Sequence, residues 1–334
     1  MNSGFRIETD ADRRQTLKEA KRAALHALRR YDIDWTGLRF IQVSEHVTFR
    51  IEANEGQSYL LRIHPDNKPR QEIASELEWL TALSTKGLVV PETVVNDDGE
   101  TITDCEAGGG QRYFATVLTW IEGERPERGA LTEEGIRHWG VLMANLHEAS
   151  ADFSPSAHFA RPTWGLESFR RDWAHLRRHH QPFISDEAME LYALAADKVE
   201  RALAALSPHE RNHGMIHADL HMGNVVFRDG IPYPIDFGRC GYGYHLYDMA
   251  QSIMGLTPEQ RAWFMEGYER VRQLEGAAIS QLECFFIMAI IEAYSFHAEN
   301  PLETEGLIEE QPYAQALLRA YVNGAPFLFE TIAY

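Results

Sequence analysis

The chain has 334 residues, 44% of them hydrophobic and 25% charged, with a formal net charge of −18. That length accommodates two domains, or one large one, with an ample core, and that composition excludes a chain disordered throughout. An acidic balance of this size excludes nucleic-acid binding by bulk attraction; it serves solubility and mildly favours a cationic substrate.

In chain order, residues near 10–30 read as a helix, with Leu17, Ala20, Ala24 and Leu28 on one stripe. The start, Met1 to Asp10, lacks the apolar stretch of a secretory signal. Strand-like runs follow at Leu38–Val43, Val47–Ala53 and Tyr59–Ile63, the last two flanking the turn Asn54-Glu55-Gly56-Gln57. A helical pattern covers about 69–84, with Ile73, Leu77, Leu80 and Leu83 at core spacing. Strand signals at 93–95 and 112–120 are separated by turn-like Asp97-Asp98-Gly99 and Gly108-Gly109-Gly110. After Pro126 helical patterns dominate, near 132–149, 166–179, 186–206, 258–273 and 278–299, around one strand-rich block at 213–237. The change of character near Trp120–Gly123 predicts two domains, 1–120 and 121–334.

The longest strongly apolar run, Cys284–Ile291, lies between Glu283 and Glu292 and is too short to span a bilayer, so no membrane segment is expected. Cys105, Cys240 and Cys284 are odd in number and far apart, which points to a reducing, cytoplasmic compartment rather than disulfides or a thiolate zinc site. Arg170-Arg171-Asp172-Trp173 with Arg177-Arg178-His179-His180 reads as a solvated helix face, and Trp263, Tyr268, Phe285, Phe286, Tyr294 and Phe296 read as core.

The segment that carries chemistry is His217-Ala218-Asp219-Leu220-His221-Met222-Gly223-Asn224, followed by Ile235-Asp236-Phe237-Gly238. Phosphoryl transfer needs an oriented acceptor hydroxyl, somewhere for its proton to go, and oxygen ligands for magnesium. Asp219 can accept the proton. Asn224, five residues on, offers a carbonyl oxygen, and Asp236, on a turn after an apolar strand, offers a charged ligand. Oxygen-only ligands suit magnesium rather than zinc. The spacing is that of the kinase catalytic loop and its metal-binding Asp-Phe-Gly.

With Gly241-Tyr242-Gly243 and Leu246-Tyr247-Asp248-Met249-Ala250 added, Gly214–Ala250 resembles the aminoglycoside phosphotransferase and choline kinase superfamily. The resemblance implies an α+β, protein-kinase-like two-lobed fold: a small nucleotide-binding lobe with an antiparallel sheet plus a helix, and a larger, mostly helical lobe for catalysis and acceptor binding. It implies ATP and Mg2+ as cofactors, with ATP between the lobes. Asp219 would be the catalytic aspartate, Asn224 and Asp236 would hold magnesium, His217 would support the loop, and Asp248 would brace it. Tyr59-Leu60-Leu61-Arg62-Ile63 resembles the strand that grips the inner phosphates, with Arg62 in place of lysine. Glu76 is its expected partner and Glu72 the rival. Leu118, Thr119, Trp120 and Ile121 would form the hinge beside adenine.

Two departures stand out. Ser44-Glu45-His46-Val47-Thr48 has no glycine, unlike the phosphate loop of protein kinases, and the short span from Phe237 to Asp248 leaves no room for a long activation segment. The expected activity is transfer of a γ-phosphate to a hydroxyl of a small molecule; an amino alcohol, a homoserine-like amino acid, a sugar and an antibiotic all fit. The alternatives are a protein serine/threonine kinase of the same superfamily, a hydrolase using His217, Asp219, His221 and Asp236 as metal ligands, and a nucleotide-binding module without turnover. The residues do not speak to oligomeric state.

Overall fold

The computed structural model describes residue 5 and residues 9–108, 110–274 and 276–334. Gly109, in the middle of one expected turn, lies outside the described residues, as do 1–4 and 6–8 of the stretch read for a signal. The chain divides into two compact units: Met1–Glu122 with Ser154–Arg161, and Gly123–Phe153 with Pro162–Tyr334. A single cut near residue 120 therefore omits one feature, the return of 154–161 to the first unit. Its anchors are polar: the Ser156 N–H and hydroxyl both donate to Glu78, at 2.7 and 2.8 Å, and the Ala160 N–H donates to Ser75 Oγ at 2.9 Å.

In the first unit, α1 (Asp10–Ala27) is capped by Thr9, whose hydroxyl accepts the Asp12 N–H. Strands β1 (Trp35–Val43), β2 (Val47–Ala53) and β3 (Ser58–Pro65) precede α2 (Arg70–Thr85), β4 (Thr93–Val94), β5 (Thr103–Glu106) and β6 (Arg112–Thr119). The sheet order is β1-β2-β3-β6-β4, with β5 on the same edge of β6 as β4, and all pairs antiparallel. At the β2–β3 turn Glu55 and Gly56 both have positive φ, 63° and 77°, the twist a tight hairpin requires. Ala20, Ala24 and Leu28 of the predicted stripe are buried against Phe49, Leu61 and Ile63 of the sheet. The small alanines let α1 lie close to the strands.

The second unit contains α3 (Glu133–Ala151), β7 (Thr163–Trp164), α4 (Leu166–His179), α5 (Asp186–Ala205), β8 (His213–Ile216), β9 (Val225–Arg228), β10 (Ile231–Pro234) and β11 (Gly241–Tyr244). Helices α6 (His245–Ile253), α7 (Pro258–Glu269), α8 (Ala278–His297) and α9 (Thr304–Asn323) complete it. β9 and β10 form a hairpin through Asp229 and Gly230, again both at positive φ. β11 pairs antiparallel with β8 and parallel with β7. Tyr268, Phe285, Phe286 and Tyr294 are buried as core, while Phe296 is exposed. Helix α8 is long and apolar enough to cross a membrane by composition, yet 67% of its apolar stretch is buried within the fold. All three cysteines are buried thiols outside any disulfide, and burial pushes the Cys105 thiol up to about 12.

Two glycines set the contact between α3 and α7. A Cβ on Gly140 would lie 2.0 Å from the Phe264 carbonyl oxygen, and one on Gly267 would lie 2.0 Å from that of Arg137. Gly140→Ala should therefore destabilise the fold by about 1–3 kcal/mol in urea unfolding. Gly306→Ala, on exposed helix with nothing within 4 Å, should instead gain up to about 1 kcal/mol.

Glu292 is a charged residue in the interior of α8. One carboxylate oxygen accepts the Tyr247 hydroxyl at 2.6 Å, and the other is buried without a partner among the described residues. Burial raises its pKa to about 7 from an ordinary 4.5. Between those values the folded state binds the extra proton and the unfolded state does not, so this group's stabilisation falls as pH rises through that window and is level above it. Glu292→Gln keeps an acceptor for Tyr247 and removes the titration. Relative to the wild type it should gain on the order of 3 kcal/mol between pH 4.5 and 8, read from urea midpoints.

Candidate active site

The site in the second unit is built on the loop between β8 and β9. β8 is held in the three-stranded sheet by β11, so the chain leaves it at a fixed point. There Ala218 adopts φ 61°, a left-handed conformation that a non-glycine residue holds only when its surroundings force it. The force comes from Asp248 on α6, which is fully buried. Its Oδ2 accepts the His217 N–H at 2.9 Å, and its Oδ1 accepts the Ala218 N–H at 2.7 Å. His147 Nε2 on α3 lies 3.2 Å from the same Oδ2, and the Tyr268 hydroxyl lies 2.9 Å from His147 Nδ1. Burial holds His147 well below the usual imidazole range, so it is neutral, donating from Nε2 and accepting at Nδ1. Burial also raises the Asp248 pKa, a shift opposed by His217 and the two backbone N–H groups.

The His217 ring is buried and lies 4.4 Å from the Phe237 ring. Its Nε2 donates to the Ile235 carbonyl at 3.0 Å, tying the loop to the residue before Asp236. Burial depresses its pKa, consistent with this neutral tautomer. Asp219 is partly exposed, and Asn224 holds it: the Asn224 amide nitrogen donates to Asp219 Oδ2 and to the Asp219 carbonyl, both at 3.0 Å. With its nitrogen so committed, Asn224 has its carbonyl oxygen as the atom to offer a metal. Ile235 N–H donates to the Asn224 backbone carbonyl at 2.9 Å, which fixes Asn224 to the segment leading into Asp236. Asp236 is left-handed, at φ 62° and ψ 67°. Two non-glycine residues in this region, one beside Asp219 and one at Asp236, mark local strain where the chemistry is expected.

These oxygens suit a hard divalent ion. The hydrolase arrangement is not assembled. His217 Nε2 is committed to Ile235, and His221 Nδ1 accepts the Gly223 N–H at 2.9 Å. Among the described residues, His217, Asp219, His221 and Asp236 form no cluster of converging metal ligands.

In the first unit, Arg62 on β3 and Glu76 on α2 form a buried ion pair at 2.5 Å, with side chains 2% and 6% exposed. Glu72 instead pairs with Lys68 at 3.3 Å. In the loop from Ser44 to Thr48, the Ser44 N–H donates to the His46 carbonyl at 3.0 Å, and Glu45 meets Lys68 at 3.2 Å. Leu118 is buried and paired in β6. The Thr119 N–H donates to the Glu92 carbonyl at 2.8 Å and the Trp120 N–H to the Ser58 carbonyl at 3.3 Å. The Trp120 ring is covered by the Arg50 guanidinium at 4.5 Å. Of the four expected hinge residues, Ile121 is therefore the first beyond the β pairing.

The basic stretch on α4 is largely paired: Arg170 meets Glu167 and Glu200, and Arg171 meets Asp172. His147 was missed in the sequence. It is one of 15 histidines and stands in an ordinary amphipathic pattern, so nothing local marks it. Asp248→Asn would set an amide N–H against a backbone N–H, and should cost about 1–3 kcal/mol in urea unfolding as well as loop order, seen as faster hydrogen exchange at His217 and Ala218.

The model of the phosphotransferase enzyme family matches residues 37–281. Amicoumacin kinase of Bacillus subtilis (strain 168) is 23% identical over 317 residues, covering 90% of this chain and 91% of that protein. Among solved structures, a microcompartment-associated aminopropanol kinase superposes with a TM-score of 0.78 at 25% identity, covering 91% of this chain and 98% of that one. The amicoumacin kinase hAmiN, in complex with AMP-PNP, Ca2+ and Ami, superposes at 0.74 with 17% identity, covering 98% and 97%. Fold, loop and family model agree: the chain belongs to the phosphotransferase enzyme family and is a phosphotransferase with the two-lobed, protein-kinase-like α+β fold.

Proposed function

We propose that this enzyme transfers the γ-phosphate of ATP, as its magnesium complex, to a hydroxyl of a small molecule, with an amino alcohol as the acceptor class. The observation that carries the reading is Asp219 held by the Asn224 amide on a loop braced from below by Asp248. An aspartate fixed in this way can aim a hydroxyl and take its proton. Asn224 Oδ1 and the Asp236 carboxylate are the ligands for magnesium, whose charge, when bound, offsets that of the phosphates. Arg62, kept in place by Glu76, binds the inner phosphates from the first unit, and the stretch from Leu118 to Ile121 takes the adenine edge. The second unit carries the catalytic and acceptor-binding residues.

In the reaction the acceptor oxygen bonds to the γ-phosphorus, and the bond from that phosphorus to the β,γ-bridging oxygen breaks. The hydroxyl proton passes to the Asp219 carboxylate, and ADP leaves. A loose transition state makes Asp219 matter more for aim than for basicity. The kinship with an aminopropanol kinase and the net charge of −18 both support an amine-bearing acceptor.

Mg–ATP is incubated with amino alcohols, homoserine, sugars, aminoglycosides and a generic protein acceptor, and products are read by mass spectrometry. A phosphorylated amino alcohol is expected; phosphate appearing only on protein would overturn the small-molecule reading. Asp219→Asn should cut turnover by at least about 10²-fold with nucleotide affinity nearly intact. Asp236→Ala should also weaken Mg–ATP binding, measured by calorimetry. Full turnover in Asp219→Asn would remove that residue from its role.

A further inference from the structure

We propose that His175, His179 and Glu299 form a binding site for a divalent transition-metal ion, zinc(II) foremost, separate from the oxygen ligands Asn224 and Asp236. His175 and His179 are one turn apart on α4, so both rings project from the same face, stacked with centroids 4.5 Å apart. Glu299 lies two residues beyond the end of α8. His175 Nε2 is 2.9 Å from Glu299 Oε2, and His179 Nδ1 is 3.6 Å from Oε1. One ligand atom from each residue falls within 4.8 Å of the others. Ligands around a tetrahedral zinc with arms of about 2.0–2.1 Å stand about 3.3 Å apart, a spacing those two distances bracket. Among the described residues this is the group of histidine, cysteine and carboxylate side chains that converges in this way.

Three further observations favour a cation here. His175 Nδ1 is 3.3 Å from Ser295 Oγ, so its far nitrogen can donate to the hydroxyl while Nε2 faces the metal, the outer-shell arrangement common to histidine ligands. The contacts 175–295, 175–299 and 179–299 advance together along both helices, so α4 and α8 run parallel along this seam. Their C-termini consequently meet at the cluster, and the partial negative charge of both helix ends adds to the carboxylate. Of the nearby guanidinium groups, that of Arg177 is turned over the Trp173 ring, and Arg178 Nε donates to the Ala174 carbonyl.

Two imidazoles and one carboxylate select zinc, cobalt or nickel over magnesium and calcium. With three protein ligands the fourth position stays open to water or an anion. The side chains are 19%, 36% and 58% exposed, so the ion can enter from solvent. Once bound, it would fasten the end of α4 to the end of α8.

The test uses the full-length chain, stripped with chelator and free of nucleotide, titrated with Co2+ and then with Zn2+. One equivalent of Co2+ should give the visible absorption of a nitrogen- and oxygen-ligated site, Zn2+ should displace it, and Tm should rise on binding. His179→Ala and Glu299→Gln should each weaken binding by at least about 10-fold and abolish the thermal shift, while turnover with Mg–ATP and no added zinc or cobalt stays as in the wild type. Asp236→Ala, which alters the other site, should keep the cobalt spectrum. Absence of saturable binding, or the same affinity and spectrum in His179→Ala, would overturn the proposal. Loss of the spectrum in Asp236→Ala but not in His179→Ala would place the ion at the nucleotide site and overturn it equally.

Discussion

The loop from His217 to Asn224 depends on one buried carboxylate. Asp248 is removed from water, a transfer that costs several kcal/mol for an ion. Two backbone N–H groups of the loop and the His147 imidazole offset it, each charge-assisted bond contributing roughly 1.5–3 kcal/mol. The balance is close, so all three donors must be in place together. This requirement turns Ala218 into a left-handed conformation and sets the direction in which Asp219 leaves the strand. A polar interior group, costly in isolation, thus specifies one loop geometry where apolar packing would tolerate several.

From that anchor the order passes outward through short bonds. His217 links the loop to Ile235, Asn224 links Asp219 to the same segment, and Asp236 follows at a second strained position. The tight β9–β10 hairpin brings Asp236 back beside Asn224. The first unit holds its own cation in a comparable way: Arg62 is buried against Glu76, and its neighbour Glu72 is kept apart by Lys68. The loop without glycine is held by its own carbonyl and by an ion pair to Lys68, so its shape rests on side chains rather than on bare backbone.

Much of this was legible in the sequence because the signals are local. The period of α1, the turn at Asn54–Gln57, and the spacing of Asp219, Asn224 and Asp236 each lie within one short run of chain, and the predicted elements lie within a few residues of their expected places. The misses have physical causes. β5 is four residues long and pairs with β6 by register, not by pattern. Helix α9 carries Gly306 and Pro312, which interrupt the signal; its burial comes from packing against α5 and α8.

The sequence by itself determined which oxygens are present and in what order, a donor set that suits a hard divalent ion. It did so because kinase-type catalysis draws those groups from one short stretch of chain. Only the tertiary structure decided what holds them. His147 is 101 residues from Asp248, and Glu76 and Glu72 lie one turn apart on the same face of α2, so only the placement of that helix against β3 sets Glu76 on Arg62 and leaves Glu72 to Lys68. The pairing of His175 and His179 with Glu299, 124 and 120 residues further along, likewise exists only where two helices end side by side. Contacts across such distances depend on how elements pack, and packing leaves no mark on the local pattern of residues.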